Sequence, residues 1–335
     1  MVFAIVIDLI LVFGYLFISN KEKIRRLVKG KNATEQESKN ATSLTTLDTL
    51  QRSAKTKNHL AANFKNSFEG ADLKMHFEMD HLGFKLPNGK EILKGVTGHI
   101  HAGRMTAIMG PSGYLIPLLQ TLIINSAGKT TFLNVLCGKV NRTHGVLKIS
   151  GKETEVHKFK KICGFVPQED VMHRGMTVRE NILHSARMRA PKDWTAEQVN
   201  SHVQDIIQGL QLDHVSETAI GNGIVRGISG GQRKRVNIGI ELAATPLCLF
   251  LDEPTSGLDS TSSLEVMDML DKISDIGVTV IAVIHQPRVE IFTKFHDVLM
   301  IAPGGRTAYL GPSAGARGYF ENLGYEVLID CFVIF

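Results

Sequence analysis

Two stretches in the second half of the chain constrain its fold more than anything else. Leu247–Leu251 is apolar at every position and Val278–Ile284 at every position but Thr279, and the residues between them carry Leu264, Met267, Leu270 and Ile273 at helical spacing. A strand that is apolar on both faces must be buried on both, so the pattern predicts parallel strands joined by a covering helix. Met105–Met109 reads as another buried strand, Thr130–Leu136 as the helix after it, and Val146–Ile149 and Cys163–Val166 as further strands. Residues of about 177 to 245 are mainly helical in pattern, with apolar spacing over Val178–Met188 and Val203–Leu212. Upstream, the alternation Met75, Phe77, Met79, then Leu82, Phe84, Leu86, the turn Pro87-Asn88-Gly89 and the run Val96–Ile100 predict a small antiparallel sheet. The expected class is α/β: a parallel sheet covered on both faces, with an antiparallel β-subdomain and a helical subdomain over about 169–245.

The ends of these strands carry the residues with chemistry. Gly110-Pro111-Ser112-Gly113 follows the first buried strand, and Ala127-Gly128-Lys129-Thr130-Thr131 opens the helix. Joined, the two pieces satisfy G-x-x-x-x-G-K-[ST], a turn whose backbone N–H groups cradle phosphates while Lys reaches the terminal ones and a hydroxyl holds Mg²⁺. As written, the segment Tyr114–Ser126, thirteen residues of which eight are hydrophobic, interrupts the loop. The strand Leu247–Leu251 runs into Asp252 and Glu253, which puts two carboxylates at the carboxyl edge of the sheet, where α/β ligands bind. One is suited to Mg²⁺ and its neighbour to polarising a water. His285 ends the second strand; alone it would read as a satisfied core histidine, but beside a glycine loop and an acidic strand end it reads as a polar contact to a terminal phosphate. Ser229-Gly230-Gly231-Gln232, followed by Arg233, Lys234 and Arg235, opens a helix. It is either a second phosphate-binding helix end or an ordinary cap.

Residues 2–19 are apolar except for Asp8, and the basic cluster Lys21, Lys23, Arg25, Arg26, Lys29 and Lys31 follows. A run of this length just spans hydrocarbon as a helix, and charge on its far side orients everything downstream toward the cytosol. A cleaved signal peptide would need a charged start and a small-residue cleavage site, and neither is evident. The expectation is a membrane anchor over 1–20, a polar linker over 21–72, a globular domain over 73–327 and an unassigned tail over 328–335. The four cysteines, Cys137, Cys163, Cys248 and Cys331, lie far apart without a C-x-x-C pair, which points to reduced thiols and no metal site. A net charge of +5 on 38 basic and 33 acidic residues is too diffuse to argue for a nucleic-acid partner.

Taken together, these strings resemble the nucleotide-binding domain of ATP-binding-cassette transporters. Ile228-Ser229-Gly230-Gly231-Gln232 resembles the signature motif, Gln168 in Gly164-Phe165-Val166-Pro167-Gln168 the Q-loop, and Asp252-Glu253 the Walker B pair. Ser256-Gly257-Leu258-Asp259 is similar to the D-loop and His285 to the H-loop. The strings around Arg226-Gly227-Ile228 and Ile284-His285-Gln286-Pro287 resemble the G subfamily, the White-type half transporters, over roughly Leu73–Tyr325. The resemblance implies a RecA-like core with ATP and Mg²⁺ as cofactors, working as a pair with a second cassette and with the membrane domain of a half transporter. It implies that Gly110, Pro111, Ser112, Gly113, Ala127, Gly128, Lys129, Thr130 and Thr131 bind nucleotide on one side. Ser229, Gly230, Gly231, Gln232 and Asp259 would bind it from the other. Thr130, Asp252 and Gln168 would serve Mg²⁺, and Glu253, His285 and Gln168 would act in hydrolysis. Phe84 sits where such domains stack an aromatic on adenine, a reading that competes with a core role.

Two departures qualify these expectations. A half transporter continues into six membrane helices, whereas Leu328–Phe335 is too short to span a bilayer. The insertion also splits the phosphate loop. The leading reading is an ATP-hydrolysing cassette of a membrane exporter; the competing one is a membrane-tethered cassette that binds partners without turnover. A soluble cassette acting on DNA or ribosomes is disfavoured by the apolar N-terminus and the lack of a second cassette.

Overall fold

The computed structural model describes residues 74–110, 128–221 and 227–325. The expected anchor, linker, insertion and tail lie outside them, as do Pro111, Ser112, Gly113, Ala127, Arg226 and Cys331. In chain order the elements are β1 (Phe77–Lys85), β2 (Glu91–Ile100), β3 (Met105–Met109), α1 (Lys129–Leu136), β4 (His144–Ile149), β5 (Lys152–Glu153) and β6 (Cys163–Val166). There follow α2 (Val178–Arg189), α3 (Ala196–Gly209), α4 (Gly230–Leu242), β7 (Cys248–Asp252), α5 (Ser260–Asp275), β8 (Thr279–Val283), α6 (Val289–Phe292), β9 (Asp297–Ala302), β10 (Arg306–Pro312) and α7 (Ser313–Asn322).

The apolar strands do form a sheet buried on both faces. Its order is β10-β9-β3-β8-β7-β6. The strands β9, β3, β8, β7 and β6 run parallel, and β10 pairs antiparallel at the edge. Successive side chains go to opposite faces, which explains why no polar alternation survives. Leu249, Leu251, Val280 and Ala282 join a core with the helices α2, α3, α4 and α5. Their neighbours Cys248, Phe250, Ile281 and Val283 join a second core with α1 and the antiparallel sheet. Phe250 and Phe77, both fully buried, meet edge to face at 5.9 Å across that layer. Each such buried aromatic contributes about 1.5–3 kcal/mol.

The smaller sheet has the order β2-β1-β4-β5 and is antiparallel throughout. The strand read at Val146–Ile149 therefore belongs to the β-subdomain, since β4 runs antiparallel to β1, pairing Phe77 with Ile149. The hairpin β9–β10 was not anticipated, because Asp297 and the mixed polarity of Arg306–Pro312 hide its period. Asp297 is nevertheless almost completely buried, held by two hydrogen bonds from Arg104 at 2.6 and 2.8 Å. That fork locks the start of β9 to the start of β3. Among the described residues, no helix is long and apolar enough to cross a membrane.

The helical layer is written in capping boxes. Thr177 with Glu180 starts α2, Thr195 with Gln198 starts α3 and Ser229 with Gln232 starts α4, each pair exchanging side-chain and backbone hydrogen bonds.

Candidate functional site

The parallel strands β3, β7 and β8 end side by side. The N–H of Ile284 donates to the carbonyl of Ile108 at 3.1 Å, and that of Glu253 to Val283 at 3.1 Å. This register brings Gly110, Asp252-Glu253 and the segment before His285 to one edge, and α1 begins there too. Gly128, at the N-cap of α1, has φ 78°, and a Cβ there would lie 3.0 Å from Leu93 Cδ2 and 3.3 Å from the Ile92 carbonyl. Only glycine fits that turn without strain. Leu93 in turn pairs with Phe84 across β1 and β2. Phe84 is half-buried against the second core and stands one strand from the loop, so both of its readings fit its position.

Lys129 is largely buried, and its Nζ donates to the carbonyl of Gly110 at 3.1 Å. The lysine thus closes the two ends of the split loop on each other. Burial pushes its pKa below the ordinary lysine value, partly offset by the charge of Glu253. Thr130 Oγ1 donates to Asp252 Oδ1 at 3.4 Å. The carboxyl of Asp252 is raised above its usual range, mostly by burial and then by Glu253, with the Thr130 bond opposing. Thr131 is half-buried in the first turn of α1. Gln168 Nε2 donates to Glu253 Oε2 at 2.9 Å, joining the loop after β6 to the acid after β7. Glu253 itself has φ 49°, and Gln286, next to His285, has φ 41°. Left-handed backbone at non-glycine residues costs about 1–2 kcal/mol each and clusters where function requires it. His285 Nε2 is buried and, among the described residues, has no hydrogen-bond partner. Such an atom needs an acceptor or donor from outside the described residues.

The S-G-G-Q string stands apart from this cluster. Ser229 Oγ accepts from the Gln232 N–H at 3.2 Å and Gln232 Oε1 from the Ser229 N–H at 2.8 Å, so the string is a cap. It still leaves the first-turn N–H groups at Gly230 and Gly231 without intrahelical partners. A Cβ on Gly231 would meet Ser262 Cβ at 2.9 Å, which fixes a glycine there because α4 and α5 start in contact. Asp259 caps α5 by accepting from the Ser262 N–H at 3.1 Å, and the Ser262 hydroxyl first, with that N–H second, holds its carboxyl below the usual range. Among the described residues, no hydrogen bond or ion pair joins Ser229–Gln232 or Asp259 to Thr130, Asp252 or Glu253.

Lys234, in sequence only one of three basic residues after the S-G-G-Q string, has a specific place in the fold. It lies in the first turns of α4, nearly fully buried, with Nζ donating to the Gln168 carbonyl at 2.8 Å. The signal was present: a lysine beside the positive end of a helix dipole is unfavourable unless something compensates it. Among the described residues Cys137, Cys163 and Cys248 are free, and burial pushes all three thiols upward, Cys163 to about 12.

The chain is similar to several known proteins. A family model described as ABC transporter matches residues 93–256, and one described as ABC-2 type transporter matches 285–329. The chain is 43% identical over 254 residues to ABC transporter G family member 25 of Oryza sativa subsp. japonica, covering 75% of this chain and 24% of that one. It is 38% identical over 270 residues to ABC transporter G family member 1 of Dictyostelium discoideum, covering 79% and 32%. The chain thus spans about a third or less of these relatives. Among solved structures, cbiO1 of Clostridium perfringens, part of the ABC transporter complex cbiONQ, matches with a TM-score of 0.61 at 21% identity, covering 75% of this chain and 94% of that one. That likeness is one of fold.

Proposed function

We propose, from the premise that this chain belongs to the G family of ABC transporters and contains its ATP-binding cassette, that it binds and hydrolyses ATP with Mg²⁺ to drive export through a membrane domain. The observation that carries the reading is the edge at which Thr130 bonds to Asp252, Gln168 bonds to Glu253 and Lys129 bonds to the Gly110 carbonyl, with His285 Nε2, unpartnered among the described residues, two residues beyond β8. These residues fit the group: a glycine turn that a Cβ would fill, hard oxygen donors at Thr130 and Asp252, and a buried histidine nitrogen with no polar partner among the described residues.

Lys129, released from Gly110, would counter phosphate charge, and its depressed basicity would recover beside an anion. Thr130 Oγ1 and the Asp252 carboxylate would hold the metal ion, with Gln168 as a further oxygen donor. Mg²⁺, when bound, supplies neutralisation of charge on the transferring phosphoryl group. Glu253 would take the proton of the attacking water, and His285 Nε2 would hold the terminal phosphate. Ser229, Gly230, Gly231, Gln232 and Asp259 would form the other half of a nucleotide site, which a second cassette would complete. Pro111, Ser112, Gly113, Ala127 and Thr131 would contribute the remaining loop contacts, and residues 1–20 would anchor the chain with the cassette cytosolic.

The interruption between Gly113 and Ala127 favours a second reading, a cassette that pairs without turning over. Glu253→Gln separates the two. With ATP and Mg²⁺ the variant should accumulate as a nucleotide-bound pair in analytical ultracentrifugation while the unaltered chain cycles. Pairing that ignores both nucleotide and the substitution would support the non-hydrolysing partner.

A further inference from the structure

Both ends of α4 are fastened to the same strand and loop. At its start, Lys234 Nζ donates to the Gln168 carbonyl at 2.8 Å and sits 3.0 Å from Asp170 Oδ1, an ion pair outside hydrogen-bond geometry. Arg233 Nε lies 3.9 Å from the other Asp170 oxygen. Toward its end, Glu241 Oε2 accepts from the Phe165 N–H at 3.2 Å, and Arg189 pairs with Glu241 at 3.0 Å. The segment 165–170 is thus held to α4 at two points on either side of Pro167. The residue whose carbonyl Lys234 grips is also the residue whose side-chain amide touches Glu253 at 2.9 Å. An ammonium buried to this degree near a positive helix end persists only where its partners compensate it.

We infer that Lys234 is a positioning residue for hydrolysis: it fixes the Gln168 main chain to the start of α4, so that whatever engages the Ser229–Gln232 end also sets the amide of Gln168 against the Glu253 carboxylate. The inference rests on the ATPase reading above and deepens it. A rigid α4 carries displacement of its first turn directly to Lys234, and from there one carbonyl and one amide lead to the acid. Asp170 holds the ammonium from its other side and keeps it from following solvent. Arginine retains the charge at this position but replaces the compact ammonium with a planar guanidinium fork, so it should restore only part of the alignment.

The test uses the full chain with Lys234→Met and Lys234→Arg, measuring ATP turnover, affinity for a fluorescent ATP analogue, melting temperature, and hydrogen exchange over residues 168–172 and over α4. Lys234→Met should lower kcat about 100-fold, the loss expected when a catalytic group is displaced by about 1 Å, with affinity and KM changed by no more than about threefold. Exchange at 168–172 should quicken while α4 stays protected, and Lys234→Arg should recover part of kcat. An unchanged kcat, or a joint collapse of melting temperature, affinity and kcat that Arg fails to relieve, overturns the assignment. Should the unaltered chain show no turnover, the ATPase reading fails and the exchange result alone decides. Faster exchange at 168–172 with α4 intact then supports the tether, and unchanged exchange removes it.

Discussion

Excising residues 114–126 should restore the phosphate loop, and the size of the effect can be worked from its two fixed ends. Gly110 closes β3, whose strand is paired on both sides, and Gly128 opens α1 in the left-handed conformation the turn needs. The Lys129–Gly110 hydrogen bond at 3.1 Å already draws these ends together. Seventeen residues, 111–127, now separate them, and the excision leaves four. Loop closure alone then becomes easier by about 1.3 kcal/mol at roughly 0.6 per doubling, which for a domain of this size raises the melting temperature by about 3–5 °C. The larger effect is on phosphate. Two N–H donors near Ser112 and Gly113 returned to the loop contribute about 1.5–3 kcal/mol each, so affinity should rise by roughly two to four decades. Titration calorimetry of Mg-ATP against both proteins reads this directly. Equal affinities would refute the argument, because they would mean the insertion does not displace those donors.

Four further outcomes follow from the site and its surroundings. Burial lowers Lys129 below the ordinary lysine value of 10.5. Between the lowered value and 10.5 the unfolded chain therefore holds a proton that the folded one has lost. Stability of the nucleotide-free protein should then rise with pH in that window, and Lys129→Met should flatten the slope in thermal melts. Asp252 carries the opposite sign: its raised value means the folded state holds the extra proton, so stability falls as pH climbs from 3.8 through the folded value. Asp252→Asn should remove that fall while abolishing Mg-dependent turnover. Arg104→Ala strands the buried Asp297 and should cost about 3–5 kcal/mol, read by urea unfolding. Because burial lifts the thiols of Cys163 and Cys248, native protein at about pH 8 should leave both unlabelled by a thiol reagent in mass spectrometry, with labelling appearing only on unfolding.

Much of the sheet was legible because β7 and β8 are apolar on both faces, a pattern few other environments permit. The site edge was legible for the same reason: Asp252, Glu253 and His285 are the first polar residues after such strands. What escaped was set by tertiary partners. Asp297 looks like a loop residue until Arg104, distant in sequence, forks onto it. The strand around Leu147 was readable, yet its membership of the antiparallel sheet depends on β1, and no local period encodes a partner. The S-G-G-Q string carried two meanings at once, a capping box and an exposed helix end, and the structure displays the first while leaving room for the second. Lys234 broke a local rule of helix electrostatics, and its partners lie in a loop more than sixty residues upstream.

The most direct test of the account is Mg-dependent ATP turnover by the purified chain beside its Glu253→Gln variant, both at saturating ATP. The account predicts measurable hydrolysis that falls by at least about 100-fold in the variant, as loss of a general base requires, while calorimetry shows nucleotide binding unchanged. Hydrolysis that persists undiminished in Glu253→Gln, or is absent from the unaltered chain under saturating nucleotide, would contradict it.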